Sequence, residues 1–358
     1  MMQFKHFQCF SPAVCGLVVL FMFNDTESAP FENLYTITVP RDFGQGMRSD
    51  EEYVPLAMGR LLARVTGRTS AFLEPNLQDL IGNADDYVVD KGWPDLEGYR
   101  VTFDDRAILN SLFQQNESVW VEERPVTLLW IAIDAGFGER GIVAADSQDP
   151  AHSADYIAVV DELRAQLEEV AYARGLPIKF PLWDLQDMDA LDFIDVWGGF
   201  SDRLGQSSER YGIDAILNGR VWVTSRGLDV QWTLVRGPNR FILPGGSLQS
   251  GLQQLADLYA GEFSSTGSPT ESKITVMGLK TIEDYARVMR YIEGLQERHI
   301  LESVDIEEFT ATTLTLRMMV RGGSQLLERV LNLSNVLTPT ASMSDEYPDS
   351  KLTFFLSR

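Results

Sequence analysis

Residues 126–134 (VTLLWIAID) form an almost unbroken apolar run, and no other stretch restricts the fold so tightly. A run of this length and composition marks a strand buried on both faces, as in a sheet flanked by helices. The residues that follow support this. Ile157, Val160, Leu163, Leu167 and Val170 recur at helical spacing and stop at Gly175. LPIKFPLWDL (176–185) predicts a second buried strand, and an acidic stretch and a helix after Gly199 follow. Residues 215–225 and 227–235 predict a hairpin, with a further strand at 240–243. Gly245-Gly246-Ser247 then leads into a helix over Leu248–Phe263. Residues 124–263 are therefore expected to form a mixed sheet with helices and an antiparallel edge.

Smaller units are expected on either side. Over residues 30–123, LYTITV (34–39) predicts a strand, and Val54, Ala57, Leu61 and Val65 predict an amphipathic helix stopped by Gly67. A looser helix is expected over 73–87 and a strand over 99–103, followed by a helix capped by Asp104 or Asp105. Residues 264–272 (SSTGSPTES) read as a flexible linker.

Beyond it, 273–358 predicts a strand at 273–279 and a helix through Tyr285, Val288, Ile292 and Leu295. Thr281 and Asp284 are spaced as a capping box for that helix. Strands at 300–309 and 313–320 follow, then a helix opened by Gly322-Gly323-Ser324. The last strand is either 333–337 or 351–356. That order is βαββαβ, a ferredoxin-like sandwich. The expected class is α+β, built as three small α/β units.

Residues 1–29 read as a signal peptide, with Lys5 at its start, an apolar run at 13–23 and small residues at its exit. Cleavage is expected after Ser28, because Pro30 disfavours the next bond; an uncleaved leader acting as a membrane tether is the alternative. An 11-residue apolar run is well short of the ~20 residues a spanning helix needs. The leader holds both cysteines, Cys9 and Cys15, so the exported chain carries no thiol and the expected location is the periplasm.

The formal charge is −22, and no block of five basic residues occurs. Nucleic acid and anionic membrane surfaces are therefore not expected partners. Beyond the leader the only histidines are His152 and His299, too few and too far apart for a transition-metal site. No G-x-S-x-G context accompanies them. No cofactor and no catalytic residue is assigned.

The strings LYTITVP, LLARVTG, RPVTLLWIAID, RGLPIKFPLWDLQD, DVWGGF, YGIDAILNGRVW, VQWTLV and GLKTIEDYARVMRYIEGL, taken in order, resemble the secreted proteobacterial domain-of-unknown-function 2066 family. The resemblance implies a cell-envelope location and carries no known activity. The middle segment is similar, more loosely, to the N-terminal domain of TolB and to CsgG-type domains. That likeness implies a TolB-N-like mixed sheet and a role in binding other proteins.

Two constellations could carry chemistry. Asp184, Asp187, Asp189, Asp192 and Asp195 crowd twelve residues, and Asp184, Asp187 and Asp189 are candidate calcium ligands. They lack EF-hand spacing, and the plainer reading is a strand-to-helix turn capped by Asp187 or Asp189. Trp197-Gly198-Gly199-Phe200, with Asp195 beside it, could line a ligand groove in which sugar rings stack. The plainer reading is a turn whose Trp and Phe plug the core.

Gly44-Gln45-Gly46 echoes a dinucleotide loop but has Ser49 in place of its third glycine. The expected function is that of a non-catalytic envelope protein acting through contact with envelope protein partners. The alternatives are an acid-only cell-wall glycosidase and a ligand- or calcium-binding module around Trp197.

Overall fold

The computed structural model describes residues 34–41, 50–94, 98–120, 124–136, 138–146, 152–265, 269–297, 300–340 and 352–357. The leader, Cys9, Cys15, the Gly44–Gly46 string, Ser49 and His299 lie outside them. Among the described residues the chain is a mixed α+β protein with three sheets of three, six and five strands and a two-stranded ladder. No helix of these residues is long and apolar enough to cross a membrane.

The first sheet is antiparallel, with Gly98–Phe103 between Thr36–Pro40 and Val88–Gly92. Val54, Ala57, Leu61 and Val65 of the helix Asp50–Thr66 are buried against it, as their spacing requires. Gly67 ends this helix at φ +70, and a Cβ there would meet the Ala260 Cβ at 2.2 Å. Both the left-handed backbone and the close helix approach need glycine at that point. Asp104 caps the helix Asp105–Gln114 by accepting from the Ala107 amide. The looser helix expected over 73–87 is instead four short turns: Ala71–Leu73, Pro75–Leu77, Gln78–Gly82 and Ala84–Tyr87. Pro75 and the Gly82-Asn83 pair interrupt the helical hydrogen bonding.

Thr127–Gly136 forms the middle of the second sheet. It runs parallel to Ala215–Thr224, which pairs in turn with Gly227–Arg236, and that with the edge strand Asn239–Leu243. Glu139–Ile142 closes the other side. Leu129, Ile131 and Ile133 face the helices Ala154–Arg174 and Leu248–Phe263, while Leu128, Trp130 and Ala132 face a cap of short helices over residues 183–213. The apolar run is thus buried on both faces. The second buried strand expected at 176–185 shrinks to Ile178–Lys179. Pro177 and Pro181 flank it with no N–H to give, and only their carbonyls bond, to Thr127 and Ala145.

In the third sheet, Thr270–Met277 lies between Thr313–Val320 and Leu352–Leu356 and is parallel only to the latter. Leu301–Phe309 and Leu337–Pro339 form the edges. Of the two candidates for a last strand, 351–356 is borne out as Leu352–Leu356, whereas 333–337 is mostly turn and only Leu337 enters a short neighbouring strand. Thr281 and Asp284 bond each other's amides at 3.0 and 3.2 Å, a capping box for Ile282–Glu297. The helix Gly323–Asn332 has Gly322 at its cap and Ser324 inside it.

Of the segment read as a linker, Ser264–Ser265 pair with Val119–Trp120 and Thr270–Ser272 belong to the central strand. The apolar core of the second sheet continues into the third.

Three buried arginines join the first sheet's helix to the second. Arg64 donates to the carbonyls of Leu34, Thr36 and Tyr172. Arg124 donates to those of Arg64, Arg174 and Gly175, and its guanidinium lies 3.8 Å from the Trp120 ring. Arg174 reaches the Gly67 carbonyl and the Asp257 carboxylate. The carboxyl ends of Asp50–Thr66 and Ala154–Arg174 thus converge on guanidinium donors, which suit the negative pole of each helix. Burial lowers the Arg64 pKa from its usual value, partly offset by the Tyr172 side chain.

Candidate functional site

The acid-rich segment folds as three short helices, Leu185–Ala190, Phe193–Gly198 and Ser201–Ser208, over one face of the six-stranded sheet. Asp184, not Asp187 or Asp189, caps the first by accepting from the Gln186 and Asp187 amides, both at 3.1 Å. It is also bound by both guanidinium nitrogens of Arg210 at 2.8 Å. That hydrogen-bonded pair holds the Asp184 carboxyl well below the usual carboxylate range and raises Arg210 correspondingly.

Asp187 is 1% exposed. It accepts from the Trp183 amide at 2.9 Å, the Tyr211 hydroxyl at 2.5 Å and Arg210 at 3.2 Å. Burial first, and the bond to Asp187 second, push the Tyr211 phenol up to about 12. Trp183 takes φ +52, a backbone region a bulky residue enters only under constraint. Its amide bond to Asp187 and its edge contact with Trp130, at 6.2 Å, supply that constraint.

Asp192 and Asp195 form a capping box, and Asp195 is further paired with Arg203 at 2.5 Å. Of the three candidate calcium ligands, two are therefore committed to Arg210. Asp189 is exposed and has no bonded partner among the described residues. No group of three His, Cys, Asp or Glu among those residues is placed to hold a metal ion.

Gly199 ends the second short helix at φ +62, and a Cβ there would lie 2.8 Å from the Asn218 side-chain oxygen. Asn218, buried on the central sheet, donates to the Trp130 and Val196 carbonyls and clamps the turn down. Trp197 is half-buried, stacked on Phe193 at 5.3 Å and edge-on to Trp222 at 4.9 Å. Phe200 is 51% exposed and lies across Gly198, which corrects the expectation that it plugs the core. The helix begins at Ser201, directly after it, and turns the ring outward.

These residues do not converge. A polar cleft of about 450 Å³ opens between Leu185–Ala190 and Ser201–Ser208, lined by Asp187, Arg203, Gln206 and Arg210 among others. Neither Trp197 nor Phe200 lines it. Two of its charged groups, Asp187 and Arg210, are bonded to each other, and Arg203 is bonded to Asp195. His152 lies elsewhere, 3.0 Å from Glu139 and stacked on Tyr156 at 4.2 Å.

A larger, apolar groove of about 670 Å³ was not anticipated. Leu56, Gly59 and Ala63 from the outer side of Asp50–Thr66 form one wall, and Phe72, Leu73 and Ile81 form the other. Its sequence signal was present in Leu56 and Ala63, apolar residues outside the buried stripe of that helix. Phe72 and Leu73 are exposed.

Residues 29–121, which include this groove, match a domain of unknown function, DUF8605. No curated protein and no solved structure matches the chain. The match overturns the resemblance to the 2066 family; the middle segment likened to TolB lies beyond the matched residues, and no solved structure supports that likeness. LYTITVP and LLARVTG lie inside the matched stretch. The remaining strings are buried strands and helix ends, patterns that unrelated α/β chains share.

Proposed function

We propose that the protein is a non-catalytic protein of the cell envelope, exported to the periplasm by residues 1–29, that works by binding other proteins. The apolar groove between Asp50–Thr66 and the 71–81 turns carries this reading, because an exposed apolar concavity of this size on a soluble surface marks a contact site. Asp184, Asp187, Asp192 and Asp195 favour it too, since they are engaged in caps and ion pairs where a glycosidase would need them free.

The third sheet supports a finer fold proposal. Thr270–Met277 lies next to the last strand and next to Thr313–Val320, with Leu301–Phe309 outside, which is the strand order of a ferredoxin-like unit.

The test is a photo-crosslinking side chain placed at Phe72 or Leu73 in the full chain, followed by recovery from isolated envelopes. Discrete protein adducts are expected, together with N-terminal sequence beginning near Ala29 or Pro30. Release of soluble sugar fragments from sacculi by the purified protein, without such adducts, would replace contact with catalysis.

A further inference from the structure

The sheets treat their edges unequally. A free edge presents unpaired N–H and C=O groups and invites another strand, so edges are commonly blunted by charge, proline, bulges or brevity. On Thr36–Pro40, the Thr38 amide donates to the Tyr172 hydroxyl, the Thr38 carbonyl accepts from Arg60, the Thr36 carbonyl accepts from Arg64, and the strand ends in proline. Val88–Gly92 has a register shift and carries Asp90 and Lys91. Glu139–Ile142 is four residues long and charged. Leu301–Phe309 has two register shifts and carries Glu302, Asp305, Glu307 and Glu308. Leu337–Pro339 is three residues long and ends in proline.

Asn239–Leu243 carries one charge, Arg240, but has no bulge and no proline within it. Among the described residues it pairs, in continuous register, with Gly227–Arg236 on one side only. It contains no proline, lysine or acid, and Phe241 and Ile242 are 46% and 67% exposed. Arg236 and Asn239 face each other across a two-residue turn, so the alternation of an antiparallel ladder aims the backbone groups of Arg240 and Ile242 outward. The Arg240 guanidinium lies beside the Gly199 turn and has no ion-pair partner among the described residues.

We infer that Asn239–Leu243 is a strand-addition site for an extended peptide of a partner protein that carries an acidic residue for Arg240 and apolar residues for Ile242 and Phe241. Outward backbone donors and acceptors that otherwise bond water are matched together by an extended chain. The unpaired arginine selects an acid, and at physiological salt the screening length of about 8 Å makes this local charge outweigh the distant acidic surface. A second copy of the chain fits less well. Antiparallel self-pairing about Phe241 would set Arg240 against Ile242, leaving each guanidinium opposite an apolar side chain. The inference rests on the protein-contact reading but uses a different surface from the groove.

The test uses the full chain and two labelled ten-residue synthetic peptides of alternating Val and Thr, identical except for one central Glu or Lys. Saturable binding of the Glu peptide is expected by fluorescence anisotropy, weakened at least about tenfold by Ile242→Pro, which removes one outward N–H and no ladder bond. Arg240→Glu should reverse the preference between the peptides, and an unchanged melting temperature would show that each variant folds. No binding of either peptide, or equal binding by the variants, overturns the site. Concentration-dependent dimers abolished by Ile242→Pro overturn the peptide in favour of a second copy. If binding is absent while adducts at Phe72 persist, the edge fails and the protein-contact reading survives.

Discussion

The acid-rich cap and the Asn239–Leu243 edge belong to the same sheet, yet they dispose of their polar groups in opposite ways. In the cap, the carboxylates of Asp184, Asp187 and Asp195 each accept two or more bonds within the protein, and that of Asp192 accepts one. At the edge, outward backbone groups and the Arg240 guanidinium hold none among the described residues. A dense run of carboxylates drew attention in the sequence because such runs can bind ions, but here the density serves helix caps and two arginine clasps. Recognition is better sought where bonding capacity is left over.

The largest effect that would sharpen this contrast is that of Asp187→Ala. It removes a buried carboxylate that holds the Tyr211 hydroxyl, the Trp183 amide and Arg210, and about 3 kcal/mol of unfolding free energy should be lost in urea titrations. A loss below about 1 kcal/mol would mean that the cap tolerates an unpaired core and that its acids are available after all. Trp197→Ala should cost somewhat less, about 2 kcal/mol, because the ring is only half-buried between Phe193 and Trp222.

The pH dependence of stability reads the same network. Tyr211 titrates near 10 when unfolded and at about 12 when folded, so the neutral phenol stabilises the protein fully below pH 10 and progressively less as pH rises towards 12. Denaturation midpoints at pH 9 and pH 11.5 should differ for this reason, and Tyr211→Phe should flatten the difference. Asp184, depressed by Arg210, acts in the opposite sense: its contribution is present above about pH 4 and fades in more acidic buffer. The smallest effects belong to Asp189→Asn and to Ile242→Lys, each expected to alter stability by no more than about 0.5 kcal/mol. Millimolar EDTA should likewise leave the melting temperature where it is.

Much of the layout was legible because it rests on short-range periodicity. The 126–134 run, the Val54–Val65 stripe, the stops at Gly67 and Gly175, and the Thr281–Asp284 box each follow from spacing alone. Residues 176–185 misled because their apolar content suits a strand while Pro177 and Pro181 forbid its hydrogen bonds. The site was less legible. Whether Asp187 faces solvent or Tyr211, or whether Phe200 points in or out, depends on partners 23 and 24 residues away or on the adjoining helix. The groove and the open edge are properties of surfaces assembled from separate stretches, which local pattern does not reveal.

The arginine cluster bears on how the molecule could be divided. Arg64 lies within the 29–121 stretch that matches a catalogued domain, but Arg124 and Arg174 lie beyond it. A fragment cut at that boundary would keep the carboxyl end of Asp50–Thr66 and lose the two side chains that satisfy it. The border drawn by similarity therefore passes through a mechanical weld, and the first and second sheets are expected to melt together.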